Sequence, residues 1–70
     1  MNLRQADKGT EYIIRSVETR DSELDAFLFS LGCYAGEPVT VVSRRKGMCV
    51  ISIKNSRYSI DDRLAEAILV

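Results

Sequence analysis

Apolar residues recur at helical spacing in one stretch of the chain. Within residues 24–31 they follow the i, i+3, i+4, i+7 spacing, which places four large apolar side chains on one helix face. Asp21 and Ser22 lie just upstream, where their side-chain oxygens can accept the free amide hydrogens of the first turn. Gly32 follows the last periodic residue, so we predict that it ends the helix with a positive φ. The four predicted core-facing residues are Leu24, Phe27, Leu28 and Leu31.

A tight turn and a β-branched strand follow this helix directly. Gly36 marks the turn, and residues 39–44 are predicted to form a strand. Pro38 suits the first position of that strand, where a missing amide hydrogen does least harm to the ladder. Helix, glycine stop, turn and strand therefore adjoin one another, and we expect this junction to organise the fold.

Upstream of the helix, residues 10–17 are rich in β-branched and aromatic side chains and are predicted to form the first strand. Tyr12 and Ile14 share one face of that strand, whereas Val17 falls on the other. A bulge near Arg15 would return Val17 to the face of Tyr12. The polar residues 18–22 then form a loop into the helix.

Two further strands follow a basic hairpin. Residues 44–47 end in glycine and predict the hairpin, and residues 48–54 alternate as a half-buried strand does. Asn55 and Ser56 suit a tight two-residue turn, because asparagine tolerates a positive φ. Residues 57–60 are predicted to form the next short strand. The inward face of the central strand comprises Cys49, Ile51 and Ile53.

The C-terminal segment changes period once more. Ser59 or Asp61 can cap a brief helix that runs through Glu66. Residues 67–70 are apolar to the last position and are predicted to close the fold as a strand against the first. About five short strands, one helix after the first strand and a short helix near the C-terminus indicate a mainly β fold, a small closed or nearly closed barrel. We expect residues 1–70 to form a single domain.

Composition narrows the classes of partner. The chain carries 10 basic and 10 acidic residues, so its net charge is zero and no long-range field draws it to nucleic acid or anionic lipid. The hydrophobic content of 46% is too high for a disordered chain. No apolar run approaches the roughly 18 residues that span a bilayer, and the polar first ten residues do not resemble a signal peptide. We expect a cytoplasmic protein that neither inserts into the membrane nor binds nucleic acid.

The residue types also bear on catalysis and metal binding. The chain has no histidine, which removes the usual Ser-His and Cys-His nucleophile pairs, and no glycine-rich phosphate loop follows a strand. Cys33 and Cys49 are too far apart in sequence for a close metal-binding pair and lie among apolar or aromatic residues. We interpret both as small hydrophobic side chains in or near the core. No enzyme activity, cofactor or metal site is expected.

Three spaced motifs follow one another along the chain. The motifs are Gly9-x-x-Tyr12-x-Ile14, then Phe27-Leu28-x-x-Leu31-Gly32-x-x-x-Gly36-x-x-Val39, and finally Tyr58-x-Ile60-x-x-x-x-Ala65-x-x-Ile68-x-Val70. Their order and spacing resemble the FeoA family, over a similarity that runs from Leu3 to Val70. FeoA is the small cytosolic component of bacterial ferrous iron transport, and its domain has an SH3-like fold.

The resemblance implies an accessory or regulatory role in ferrous iron uptake, exerted by binding the cytosolic side of the FeoB permease. Binding is expected on loops that the barrel carries. A weak homo-oligomer is also compatible with the sequence. Gly32 and Gly36 are expected to shape the junction turn. The candidate partner-binding residues are Cys33, Tyr34 and Ala35 at the junction and Arg44, Arg45, Lys46 and Met48 at the hairpin.

The chain departs from the family pattern at several positions. Family members often carry arginine at the position of Phe27, proline at that of Ala35 and Gly-Asp-Pro in the loop at residues 45–48. Glycine is usual near Ser56 and arginine near Asp61. These changes leave the barrel pattern intact, and they fall mostly where loops would contact a partner.

Two other functions remain open. The same fold occurs as the C-terminal domain of iron- and manganese-dependent repressors, which suggests a transition-metal-binding or metal-sensing module. Ferrous iron favours imidazole and carboxylate ligands, and this chain has no imidazole. The second alternative is a small nucleic-acid-binding barrel, which the neutral charge disfavours and the basic stretch at residues 44–46 supports.

Overall fold

A computed structural model describes the whole chain, Met1–Val70. It contains six short strands and two helices, which confirms the predicted mainly β chain with one helix after the first strand and a short one near the C-terminus. Helices α1 and α2 cover Ser22–Leu31 and Asp62–Ala67. Strands β1 to β6 cover Glu11–Ile13, Ser16–Val17, Pro38–Arg45, Met48–Ile53, Ser56–Asp61 and Ile68–Leu69.

The strands form two antiparallel sheets around one core. The larger sheet has the order β1-β3-β4-β5, and the smaller pairs β2 with β6. An isolated bridge between Asn2 and Leu69 brings the N-terminus to the smaller sheet. The pairing of β6 with β2 confirms the predicted closing strand. A closed barrel is not formed, because β5 pairs with β4 alone and no second ladder on its other edge completes the ring.

The predicted first strand is divided between the two sheets. The amide of Ile14 donates to the carbonyl of Glu37, whereas the next amide, that of Arg15, donates to the carbonyl of Leu69. The chain thus passes from one sheet to the other at these residues, and the count of strands rises to six. Tyr12 and Val17 both pack against the core. Val17 therefore does return to the core side that Tyr12 occupies, but a change of sheet near Arg15 produces this and not a bulge within one ladder.

Helix α1 begins and ends where its capping residues predict. The Asp21 side chain accepts hydrogen bonds from the amides of Glu23 and Leu24, and Gly32 has φ 104°. The amide of Gly32 donates to the carbonyls of Leu28 and Phe29, which closes the last turn. The predicted positive φ of Gly32 is thus confirmed.

The predicted four-residue core face of α1 is wrong for Phe27, which is 47% exposed. Leu28 is the one completely buried residue of the helix, and Leu24 and Leu31 on the same line are half-buried. Phe27 lies about 100° around the helix from Leu28. A core this small covers only a narrow stripe of the helix, so side chains flanking that stripe stay in contact with solvent.

Tight turns connect the strands of the larger sheet. Lys46 and Gly47 form the turn between β3 and β4. The next turn is centred on Lys54 and Asn55, with φ 47° and 65°, and not on Asn55 and Ser56 as predicted. Positive φ at both central residues is typical of the type I′ hairpin turn, whose twist matches that of the strands. This turn pairs Ile53 with Ser56.

The core is a single cluster of 13 buried residues. Cys33 and Cys49 belong to it, which confirms the interpretation of both as small core side chains. Helix α2 closes one side, with the Asp61 side chain accepting a hydrogen bond from the amide of Leu64. No helix of the chain is both long and apolar enough to span a membrane. The aliphatic centre of the core includes Leu3, Ile14, Leu28, Val41, Ile51, Ile60 and Ile68.

Candidate partner-binding surfaces

Lys54 ties the turn after α1 to the β4–β5 hairpin. Its Nζ lies 5.1 Å from the centroid of the Tyr34 ring and 3.0 Å from Glu37 Oε1. Hydrogen bonds to Tyr34 and then Glu37 raise the pKa of Lys54, so the ammonium group stays charged. The backbone of Gly32 passes beneath this side chain, where an added Cβ would lie 2.8 Å from Lys54 Cδ. A glycine here therefore permits both the backbone conformation and the close approach.

An aromatic pair extends this contact onto the surface. The ring centroids of Phe29 and Tyr34 are 4.8 Å apart, with an interplanar angle of 34°. Phe29 is 62% exposed, the highest value among the large hydrophobic residues, and Tyr34 is half-buried. Ala35 is exposed in the following turn. We define Phe29, Tyr34, Ala35 and Lys54 as the junction surface.

The predicted junction residues contribute in different ways. Cys33 is 1% exposed and directs its thiol into the core, so its side chain offers nothing to a partner. Gly36 has φ 92°, and its amide donates to the carbonyl of Ile14. Tyr34 and Ala35 are left as the accessible members of the predicted set.

The basic hairpin contains one anchored residue and two free ones. Arg44 is exposed overall, but its Nη2 donates to the carbonyls of Leu3 and Ala6. Arg45 and Lys46 are exposed, and Met48 is 38% exposed. Arg44 therefore belongs to the fold, and we define Arg45, Lys46 and Met48 as the hairpin surface.

The junction surface and the hairpin surface lie at opposite ends of β3. This strand starts at Pro38, next to the junction turn, and ends at Arg45 in the hairpin. Its eight residues advance by about 3.3 Å each and span about 23 Å. The structure therefore does not bring the two predicted groups into one continuous patch.

Sequence reasoning missed Phe29 and Lys54. Phe29 lies off the helical stripe that faces the core, and an apolar residue in that position is a signal of an exposed contact. The alternation of residues 48–54 predicts that Lys54 ends a strand, whereas it occupies the first position of a turn with φ 47°. Its contact with Tyr34 joins distant parts of the sequence, and no local pattern could have indicated it.

The anchoring role of Arg44 leads to a prediction. Changing Arg44 to serine removes donors from two backbone carbonyls of the N-terminal segment, and we expect a loss of about 1–3 kcal/mol in the free energy of unfolding. Changing Lys46 to serine removes only an exposed charge, and its effect should stay within about 0.5 kcal/mol. Urea denaturation of both variants measures the difference. Equal midpoints for the two variants would show that the Arg44 contacts add no stability.

The thiols provide a pH-dependent prediction. Burial raises the pKa of Cys33 to about 11 from 9.0, and burial also raises the pKa of Cys49. Between the Cys33 pKa of 9.0 in the unfolded chain and that of about 11 in the folded chain, the unfolded chain releases the thiol proton and the folded chain retains it. The free energy of unfolding therefore falls as the pH rises through this interval. Over that interval we expect the free energy of unfolding of the Cys33→Ala variant to fall by about 2 kcal/mol less than that of the wild type. Denaturation curves at several pH values test this; parallel losses would contradict it.

Several solved protein structures share the fold of this chain. The structure of FeoA from Stenotrophomonas maltophilia complexed with zinc, described as a prokaryotic SH3 domain protein, matches with a TM-score of 0.88 and 20% identity, over 100% of this chain and 88% of that one. Iron(II) transport protein A from Clostridium thermocellum matches with a TM-score of 0.89 and 26% identity, over 97% of this chain and 43% of that one. A manganese-dependent transcriptional repressor matches with a TM-score of 0.88 and 20% identity. This chain spans only 39% of the repressor, although 97% of its own length is covered.

These likenesses and the observed strand arrangement define the class as an SH3-like domain. A search of curated proteins gave no match. The FeoA domain family model matches residues 1–70. The chain therefore belongs to the FeoA family, which confirms the resemblance found in its sequence.

Proposed function

We propose that this chain is an accessory protein of ferrous iron uptake, and that it acts in the cytoplasm by binding the cytosolic side of an FeoB-like permease. Membership of the FeoA family over residues 1–70 is the observation that carries the proposal. The structural relative named iron(II) transport protein A supports the link to iron. The chain works as a single binding domain and not as an enzyme.

The junction surface is proposed as the main contact with the permease. Phe29 presents a large apolar area, and its packing on Tyr34 limits the side-chain entropy that binding would remove. Aromatic residues are enriched at the centres of protein interfaces. Lys54 adds a charge that Tyr34 and Glu37 already hold in place. A preorganised apolar centre beside a fixed cation fits a partner surface with an apolar depression and an acidic rim.

The hairpin surface is proposed as a second, weaker contact. Arg45 and Lys46 are exposed cations, and Met48 is an adaptable apolar neighbour. Exposed charges at the rim of an interface mainly accelerate association and contribute little to affinity. Substitutions here should therefore weaken binding less at high salt than at low salt.

Copurification with an FeoB-like permease from detergent-solubilised membranes tests the junction surface. We expect Phe29→Ser to reduce the recovered complex by about tenfold, as for an aromatic interface centre. Phe27→Ser is the matched control, since Phe27 is also an exposed α1 residue but is not the one stacked on Tyr34. Circular dichroism establishes that both variants are folded. Full recovery of the folded Phe29→Ser complex, or equal loss in both variants, would remove the junction surface from the proposal.

Metal binding by the isolated chain is the competing function, and we predict no high-affinity site for ferrous iron. The chain has no histidine, and no three Cys, Asp or Glu residues gather into a group that could hold a metal ion. Thiolates are the metal-binding form of cysteine, and burial raises both thiol pKa values. Anaerobic calorimetry measures the affinity. One-to-one binding of ferrous iron with a micromolar or lower dissociation constant would favour the metal-binding alternative.

A further inference from the structure

Strand β5 is an unpaired edge of the larger sheet. It pairs with β4 on one side and with no strand on the other. Ile53 and Ser56 close the two-residue hairpin as a hydrogen-bonded pair, so the alternation along the ladder directs the amide and carbonyl of Arg57 and Ser59 away from β4. None of the backbone hydrogen bonds outside helices and strands involves these two residues. Their side chains are exposed as well.

The two edges of this sheet differ in their capacity to accept another strand. At the other edge, β1 has three residues, whereas β5 has six. Short edge strands, proline and charged side chains are common protections against edge-to-edge pairing. Strand β5 is long for this small fold, contains no proline and carries both signs of charge. Strand length and proline therefore do not protect this edge, and its two charges, Arg57 and Asp61, repel only a partner strand that opposes them with like charges.

The charges of β5 are arranged symmetrically about Ser59. Arg57 lies two residues before Ser59, and Asp61 lies two residues after it. In an antiparallel pairing centred on Ser59, any partner strand must present an acidic residue opposite Arg57 and a basic residue opposite Asp61. A second copy of β5 meets both requirements, because antiparallel pairing reverses its order of charges. Oppositely charged cross-strand pairs stabilise a sheet, and like charges destabilise it.

We propose that β5 pairs with β5 of a second copy of this chain about a two-fold axis at Ser59. Each Arg57 then faces the partner's Asp61, Ser59 faces the partner's Ser59, and Tyr58 faces the partner's Ile60. One carboxylate oxygen of Asp61 caps α2 and leaves the other for the arginine. A shift by two residues keeps the same faces but separates the charges, so this register is the favoured one.

The interface is small. One strand edge buries less surface than the about 800 Å² per partner of a standard interface, so we expect a weak dimer that forms as the concentration approaches about 0.1–1 mM. The contact is isologous and closes at two copies. It uses neither the hairpin surface nor Phe29, and its test is therefore independent of permease binding.

Disulfide trapping of the Ser59→Cys variant tests the register. The two residues form a hydrogen-bonded pair with Cα atoms about 5.5 Å apart, within the range that a disulfide bridges. Ser52→Cys is the matched control on β4, because its two copies would be separated by three strand spacings, about 14 Å, across the sheet and by a further four residues, about 13 Å, along the strands. The native thiols are buried, so they do not compete. We expect mild oxidation to yield at least about tenfold more covalent dimer for Ser59→Cys than for Ser52→Cys.

A charge change added to the Ser59→Cys variant tests whether the Arg57–Asp61 pairs hold the two strands together. Adding Arg57→Asp places a carboxylate opposite the partner's Asp61, and we expect the covalent dimer to fall to the level of the control. Circular dichroism confirms that the variants are folded. Equal trapping at both cysteine positions, no trapping at Ser59→Cys, or trapping that persists with Arg57→Asp would overturn the proposed dimer.

Discussion

Replacing Gly32 with valine is expected to lower the free energy of unfolding by about 3 kcal/mol or more. Gly32 has φ 104°, a conformation that β-branched residues strongly disfavour. An added Cβ would also lie 2.8 Å from Lys54 Cδ and force that side chain away. Displacing Lys54 separates it from both Tyr34 and Glu37. Thermal and urea denaturation of the variant measure the loss.

Gly36→Val is the matched control for this prediction. Gly36 has φ 92°, so valine meets a similar backbone strain there, but nothing lies within 4 Å of an added Cβ. We expect the loss at Gly32 to exceed the loss at Gly36, because only Gly32 lies beneath another side chain. A Gly32→Val variant as stable as Gly36→Val would show that the approach of Lys54 contributes nothing. One as stable as the wild type would show that Gly32 does not end α1 in the observed conformation.

Replacing Ile51 with alanine is expected to cost about 2–5 kcal/mol. Ile51 is 0% exposed at the middle of β4, the strand that pairs with both β3 and β5. Removing its side-chain carbons leaves a cavity that neighbouring strands cannot easily fill. A domain of this size has only about 3–5 kcal/mol of stability from its core. We therefore expect much of the Ile51→Ala protein to be unfolded at 37 °C, as circular dichroism would show.

Ile13→Ala is the control for the cavity. The same carbons are removed, but Ile13 is 54% exposed on the short strand β1. The free energy of unfolding of Ile13→Ala should fall by less than about 1 kcal/mol, because side-chain carbons that stay partly exposed contribute little hydrophobic stabilisation. Similar losses at Ile51 and Ile13 would contradict the position of Ile51 at the centre of the core.

Local features of the fold could be predicted from the sequence. The cap at Asp21 and the stop at Gly32 depend on a few neighbouring residues, so both ends of α1 could be assigned. The alternation of β4 likewise identified Ile51 as buried. The passage of the chain between sheets at Ile14 and Arg15 could not be assigned, because it depends on which distant carbonyls accept the two amides.

The candidate surfaces were less predictable than the fold. Periodicity showed which α1 residues share a face, but the width of the core decides how many of them are buried, and Phe27 is not. Arg44 looked like part of a free basic hairpin, yet its donors are used by carbonyls near the N-terminus. The stacking of Tyr34 against Phe29 and Lys54 is likewise a tertiary contact. A loop can be recognised locally, whereas the accessibility of its side chains cannot.

Uptake of radiolabelled ferrous iron by cells tests the account most directly. Cells that contain an FeoB-like permease and lack their own copy of this protein would receive the wild type, Phe29→Ser or the Phe27→Ser control at equal abundance. We predict that the wild type and the control restore rapid uptake, and that Phe29→Ser leaves uptake close to the level without the protein, because the stacked Phe29 ring is lost from the junction surface. Uptake that is independent of the wild-type protein, or fully restored by Phe29→Ser, would contradict an accessory role exerted through this surface.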